Sequence, residues 1–180
     1  MIIALAGRRV DPPDAIEVRF PASAKNIEIV RQRIRNKLQT KRATVLVSSA
    51  ACGSDLLALS EAGNLGLRRR VVLPFDRDKF RTTSVTDRPG DWGGLYEKIL
   101  DEVEMRQDLL IIKAKSETEA YTQVNHVIVD NAISLGLALQ QPVAAMVVWD
   151  GKSRGAEDYT EEFGIYARSR GIPVDGVMSL

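Results

Sequence analysis

Between an apolar run ending at Val47 and a helix-like run beginning at Asp55, the chain reads Ser48-Ser49-Ala50-Ala51-Cys52-Gly53-Ser54-Asp55. Small side chains let a ligand approach the backbone. A helix starting near Ser54 would turn its first amides, and the positive end of its dipole, toward a phosphate or another anion in that turn. Ser48 and Ser49 supply hydroxyls, while Ala51 and Gly53 permit close approach. Asp55 either caps the helix, its more ordinary job, or holds a ribose hydroxyl. Two further loops follow apolar runs. In Ala6-Gly7-Arg8-Arg9, Gly7 allows a sharp turn, and Arg8 or Arg9 sets a guanidinium fork against a phosphate or carboxylate, the alternative being a pair of surface arginines. In the loop from Trp149 to Ala156, Gly151 and Gly155 suit a phosphate cradle, Lys152 adds charge, and Trp149 either stacks on a base or packs in the core. Arg81, Thr83 and Ser84 lie on a long middle connection that either closes over a ligand or is simply solvated. Tyr121 and Asn125, four apart, share a helix face where they would edge the pocket.

These loops need a frame. Short, β-branched runs with little alternation occur at Ile2 to Ala6, Val45 to Val47, Val71 to Leu73, Leu109 to Ile112 and Val143 to Val148, the pattern of strands buried on both faces. Helical spacing separates them, over Ala24 to Leu38, Asp55 to Leu65, Gly93 to Arg106, Ala120 to Leu139 and Tyr159 to Arg170. Val174 to Met178 adds a final short strand. The alternation predicts one α/β domain over residues 1–180, a doubly wound, mainly parallel, Rossmann-like sheet with helices on both faces and a ligand crevice at the carboxyl ends of its strands. Two connections exceed what that frame needs. Arg9 to Ala24, with Asp11-Pro12-Pro13 and Arg19-Phe20-Pro21, reads as an ordered loop. Pro74 to Trp92 reads as a binding loop or lid.

Composition narrows the function classes. Twenty-five basic residues stand against 24 acidic ones, so no net field favours a nucleic-acid backbone or an anionic membrane, and extended nucleic acid is not an expected partner. The Arg68-Arg69-Arg70 run is read as a solvated cap complementing helix carbonyls. No apolar run approaches the roughly 20 residues that span a bilayer, and the start of the chain lacks a cationic leader, so a cytoplasmic protein with no membrane partner is expected. Cys52 is a lone cysteine and reads as a packing residue. His126 has no second histidine or cysteine at ligand spacing, so neither a metal nor another cofactor is expected. No Walker loop, GxSxG elbow or GxGxxG fingerprint is present.

The order Ala6-Gly7-Arg8-Arg9, then Val47 to Asp55 ahead of a helix, then Arg70-Val71-Val72-Leu73-Pro74, resembles the SLOG superfamily. This is the Rossmann-like group that joins the DNA-processing DprA/Smf proteins to the LOG phosphoribohydrolases. Gly7 and Arg8 correspond to parts of the DprA glycine-serine-arginine turn, while Ser48, Ala51, Gly53 and Asp55 fit its later serine-glycine-leucine-alanine-x-glycine-isoleucine-aspartate turn. Leu73-Pro74-Phe75 and Phe80 to Val85 resemble SLOG-like domains of uncharacterised bacterial proteins. The resemblance implies a domain that binds or senses a nucleotide or nucleotide derivative. It implies as an alternative a LOG-like hydrolase of the N-glycosidic bond of nucleoside monophosphates, and as a second alternative DprA-like binding of single-stranded DNA. The LOG motif proline-glycine-glycine-x-glycine-threonine-x-x-glutamate is not reproduced. Asp150 to Asp158 lacks its diglycine and threonine, and Glu157, Asp158 and Glu161 are substitutes for its glutamate or ordinary acidic residues of a first helical turn. Relatives of this kind are often oligomeric or fused to effector modules, and both are open here.

Overall fold

Alternation at period two puts each strand's side chains on opposite faces of one sheet. Ile3, Leu5, Leu46, Val71 and Leu73 point into one core, and Ile2, Ala4, Val45, Val47 and Val72 into the other. In a computed structural model, residues 1–112, 117–156 and 158–180 are described, with Glu117 and Thr118 as backbone only. The described strands are β1 Ile2–Gly7, β2 Val45–Ser48, β3 Arg68–Leu73, β4 Leu109–Ile111, β5 Val143–Trp149 and β6 Val174–Met178. All are parallel, in the order β4-β3-β2-β1-β5-β6. Ile2 stands opposite Val45 on one side and Val143 on the other, so β1 is central and fully covered. The α/β, doubly wound, Rossmann-like architecture expected from the sequence is the architecture observed.

The helices divide between the faces. Helices α1 (Ala24–Thr40), α2 (Ser54–Asn64), α3 (Arg77–Ser84) and α4 (Trp92–Met105) close one core through Ile34, Leu57, Phe80, Tyr96 and Leu100. Helices α5 (Glu117–Leu139) and α6 (Tyr159–Ser169) close the other through Val124, Ile128, Val129 and Phe163. Among the described residues no helix is long and apolar enough to cross a membrane.

Two local expectations are corrected. The connection after Pro74 is not loop throughout, because α3 occupies its middle. The Asp76 side chain accepts from the Lys79 amide at 2.9 Å, an N-cap, and Phe80 and Ser84, four apart, bury one face of the short helix. Arg68, Arg69 and Arg70 cap no helix but form the start of β3. Arg68 makes paired bonds to Asp108 at 2.8 and 2.6 Å, Arg70 reaches the same carboxylate at 3.7 Å, and Arg69 pairs with Glu102. Local carboxylates use that positive charge. The order of strands creates a switch point, since β1 to β4 step outward on one side before the chain returns to place β5 against β1. Open parallel sheets part their loops at such a point, and the crevice lies at the carboxyl ends of the strands.

Candidate functional site

At that crevice lies a cavity of about 540 Å³, walled by the loop after β1, the β2–α2 turn, α3, the first turns of α5 and the loop between β5 and α6. The size is that of a small-molecule pocket. Of the residues singled out from the sequence, Gly7, Arg8, Arg9, Ser49, Ala51, Asp55, Ser84, Tyr121, Asn125 and Asp158 line it. Ser48, Gly53, Arg81, Trp149, Gly151, Lys152, Gly155 and Glu161 are not among its lining residues. Glu157 lies outside the described residues.

The β2–α2 turn is built differently from the expectation of free amides. Ser54 donates its amide to the Arg8 carbonyl at 3.1 Å and its hydroxyl to the same oxygen at 2.7 Å. Cys52 donates its amide to the Ser84 carbonyl, and Ala51 donates its amide to Asp55 Oδ2 at 3.2 Å. The chain after β1 therefore sits on the helix start, where the Arg8 carbonyl takes the place at Ser54 that an anion would need. Gly53 serves that packing, with φ at +92° and the position of a Cβ only 2.8 Å from the Val10 nitrogen. Gly7 likewise has the Ser54 side chain where its Cβ would be. Cys52 is completely buried, which pushes its thiol pKa up against the pull of Arg9.

Arg8 does not wait for a ligand either. It is buried, and its guanidinium makes four hydrogen bonds: Nη1 to Asp158 Oδ1 at 2.6 Å, Nη2 to Asp158 Oδ2 at 2.8 Å, Nη2 to the Lys152 carbonyl at 2.6 Å, and Nε to Asp150 Oδ1 at 3.2 Å. Arg19, from the loop after β1, completes the network through Asp150 Oδ2 at 2.8 Å and the Lys152 carbonyl at 3.1 Å. Lys152 thus contributes its backbone oxygen. Asp158 also caps α6, accepting from the amides of Thr160, Glu161 and Arg154. Burial works to raise its pKa, but Arg8 and those amides outweigh it and hold the carboxylate below its ordinary value. The late loop is pinned by this clamp, with Gly151 and Gly155 at φ of +80° and +88° making its turns. Glu161 accepts from the Ser153 hydroxyl, and Trp149 packs against the α5–α6 core beside Arg8, 5.9 Å from ring centre to guanidinium. Arg81 pairs with Glu97 at 3.0 Å on the outside of α3.

Three features of the cavity remain chemically open. Asp55 is 6% exposed, its Oδ1 has no hydrogen-bond partner among the described residues, and burial drives its pKa up to about 7 against the pull of the Ala51 amide, Arg9 and the Gly7 amide. Arg154 lines the wall with no carboxylate at ion-pair distance among the described residues. Arg154 is exposed to solvent at the cavity mouth, and partial desolvation, with Arg8 and Arg19 nearby, holds its pKa below the ordinary value against the pull of Asp158 and Asp11. The third is an aromatic wall. Tyr121 and Tyr159 lie 5.5 Å apart, and the Tyr121 hydroxyl is 3.1 Å from Ser84 Oγ. Asn125 donates to the Tyr159 carbonyl and to Glu162, both at 2.7 Å. His126 shares Glu162 at 2.8 Å and stacks on Tyr166, away from the cavity lining.

Sequence reading missed Arg19, Arg154 and Tyr159. Arg154 stood inside a loop already marked for phosphate, so a cation in a loop with two glycines was the available signal. For Arg19, whose link to the clamp is Asp150, 131 residues away, the nearby sequence carries no signal of that role.

A comparison with protein-family models finds no match, and a comparison with curated proteins finds none. Among solved structures the chain is similar to DNA processing protein A (DprA) from Streptococcus pneumoniae, with 12% identity and a TM-score of 0.44. The likeness covers 96% of this chain and 57% of that one, so the chain spans little more than half of that protein's length. The Rossmann-like fold rests on the strand order itself.

Proposed function

We propose that the cavity binds a nucleotide or nucleotide derivative and that the domain works by sensing it. The observation that carries this reading is a 540 Å³ cavity whose wall presents the exposed Arg154, with no carboxylate at ion-pair distance among the described residues, together with the Tyr121 and Tyr159 rings. An anion at Arg154 gains a charge-assisted bond and offsets the repulsion from Arg8 and Arg19, and a flat base gains ring contact. The phosphate is assigned to the β5–α6 loop rather than to the α2 start, where the Arg8 carbonyl already occupies the Ser54 amide and hydroxyl. Thermal shift and calorimetry with AMP, 3′,5′-cyclic AMP, ADP-ribose, inorganic phosphate and a single-stranded oligonucleotide test it. A nucleotide at about 100 times its Kd stabilises the fold by roughly 2.7 kcal/mol. Response to the oligonucleotide alone transfers the reading to DNA, and silence from all the probes ends it.

A second reading, hydrolysis of an N-glycosidic bond, is favoured by one observation, a cavity-lining carboxyl with a free oxygen at Asp55. Asp158 is occupied by Arg8 and by the α6 cap, so Asp55 is the better placed group to support a sugar as positive charge develops on it. Chromatography of AMP and GMP incubations for free base separates the two readings. Turnover lost in Asp55→Asn establishes the hydrolase, and binding without turnover keeps the sensor.

A further inference from the structure

In the Ala51–Asp55 turn the amides of Ala51, Cys52 and Ser54 are paired, while Asp55 Oδ1, on a residue that lines the cavity, has no hydrogen-bond partner among the described residues. The residue is more than nine-tenths buried, its other oxygen accepts from the Ala51 amide at 3.2 Å, and the Gly7 amide also acts on the carboxyl. A buried acceptor without a partner costs free energy that a ligand donor recovers. Resting on the nucleotide reading, we infer that Asp55 Oδ1 receives a sugar hydroxyl of the bound ligand, making this turn the element that selects ribonucleotides over analogues lacking those hydroxyls. Two neighbours determine the kind of donor. Arg9 acts on Asp55 electrostatically, so an ammonium brought to the same place meets a like charge, while a neutral hydroxyl does not. Ser49 also lines the cavity from this turn and offers a second hydroxyl for a vicinal diol. A hydroxyl both donates and accepts, which suits a carboxyl that burial and Arg9 pull toward opposite protonation states.

The test compares AMP with 2′,3′-dideoxy-AMP by calorimetry on the full chain, with ribose 5-phosphate as a base-free probe. The wild-type protein is expected to bind AMP about tenfold or more tightly than the dideoxy form, and Asp55→Ala to reduce that ratio to below about twofold. In wild-type protein labelled with ¹³C, the Asp55 carboxyl resonance is expected to move with AMP and to stay with the dideoxy form, which removes dependence on the folding of the variant. Equal affinity for the two nucleotides, or a ratio that survives in folded Asp55→Ala, overturns the inference while leaving nucleotide binding in place. Binding of neither AMP nor ribose 5-phosphate overturns both.

Discussion

The Arg8 side and the Asp55 side of one cavity are built from the same kinds of residue and end in opposite states. Around Arg8 each charge has a partner: Asp158 and Asp150 meet Arg8, Asp150 and Glu17 meet Arg19, and the Lys152 carbonyl accepts from both guanidiniums. Among the described residues the Asp55 carboxyl keeps an oxygen without a hydrogen-bond partner, and across the cavity Arg154 meets no carboxylate at ion-pair distance. Saturated polar groups hold a loop in place, and removing one leaves others buried and uncompensated. A buried unsaturated group such as Asp55 imposes a standing cost on the folded chain that a ligand at the cavity wall can offset, whereas the exposed Arg154 is solvated and offers charge without that cost.

The comparison breaks most visibly at its saturated end. Arg8→Ala takes the guanidinium from two buried carboxylates, leaving Asp158 to its amides and Asp150 to Arg19, and is expected to lower stability by about 3 kcal/mol, read as a shift of the urea midpoint with unchanged slope. A loss below about 1 kcal/mol would show that the late loop holds without the clamp. Next comes Gly53→Ala, at a φ of +92° and against the Val10 backbone, for which a cost of about 1 to 3 kcal/mol is expected with nucleotide affinity altered only through folding. Affinity that collapses in a fully stable Gly53→Ala protein would return Gly53 to the ligand.

At the unsaturated end the expected signature is a pH slope. Asp55 titrates near pH 7 when folded and near 3.8 when unfolded, so between those values the folded chain binds the extra proton. Its contribution to stability therefore falls as pH rises, by up to roughly 1.4 kcal/mol per pH unit, and Asp55→Asn flattens that part of the profile between about pH 4 and 7. Identical profiles for the two proteins would deny the raised pKa. Arg154→Ala has the smallest expected effect on folding, within about 0.5 kcal/mol, because no carboxylate among the described residues depends on it. It should nevertheless weaken AMP by about tenfold, and an unchanged Kd would move the phosphate elsewhere.

Sequence by itself determined the sheet, because an apolar strand and an amphipathic helix are written in neighbouring residues whose period decides what is buried. The runs at Ile2, Val45, Val71, Leu109 and Val143 became strands, and the loops after β1, β2 and β5 met at the crevice the alternation required. Helix α3 was legible only in part, its Asp76 cap and Phe80–Ser84 face being too short a pattern to separate from loop. What tertiary structure alone decided is which charges are spent. Arg8 and Arg9 are adjacent and chemically alike, yet Arg8 meets Asp158 from 150 residues away while Arg9 pairs with Asp87. Asp55 and Asp158 both stand at helix starts, yet one is raised by burial and the other held down by a guanidinium. Periodicity is a short-range property of the chain, whereas desolvation and ion pairing depend on what the fold brings alongside, and no local pattern encodes that.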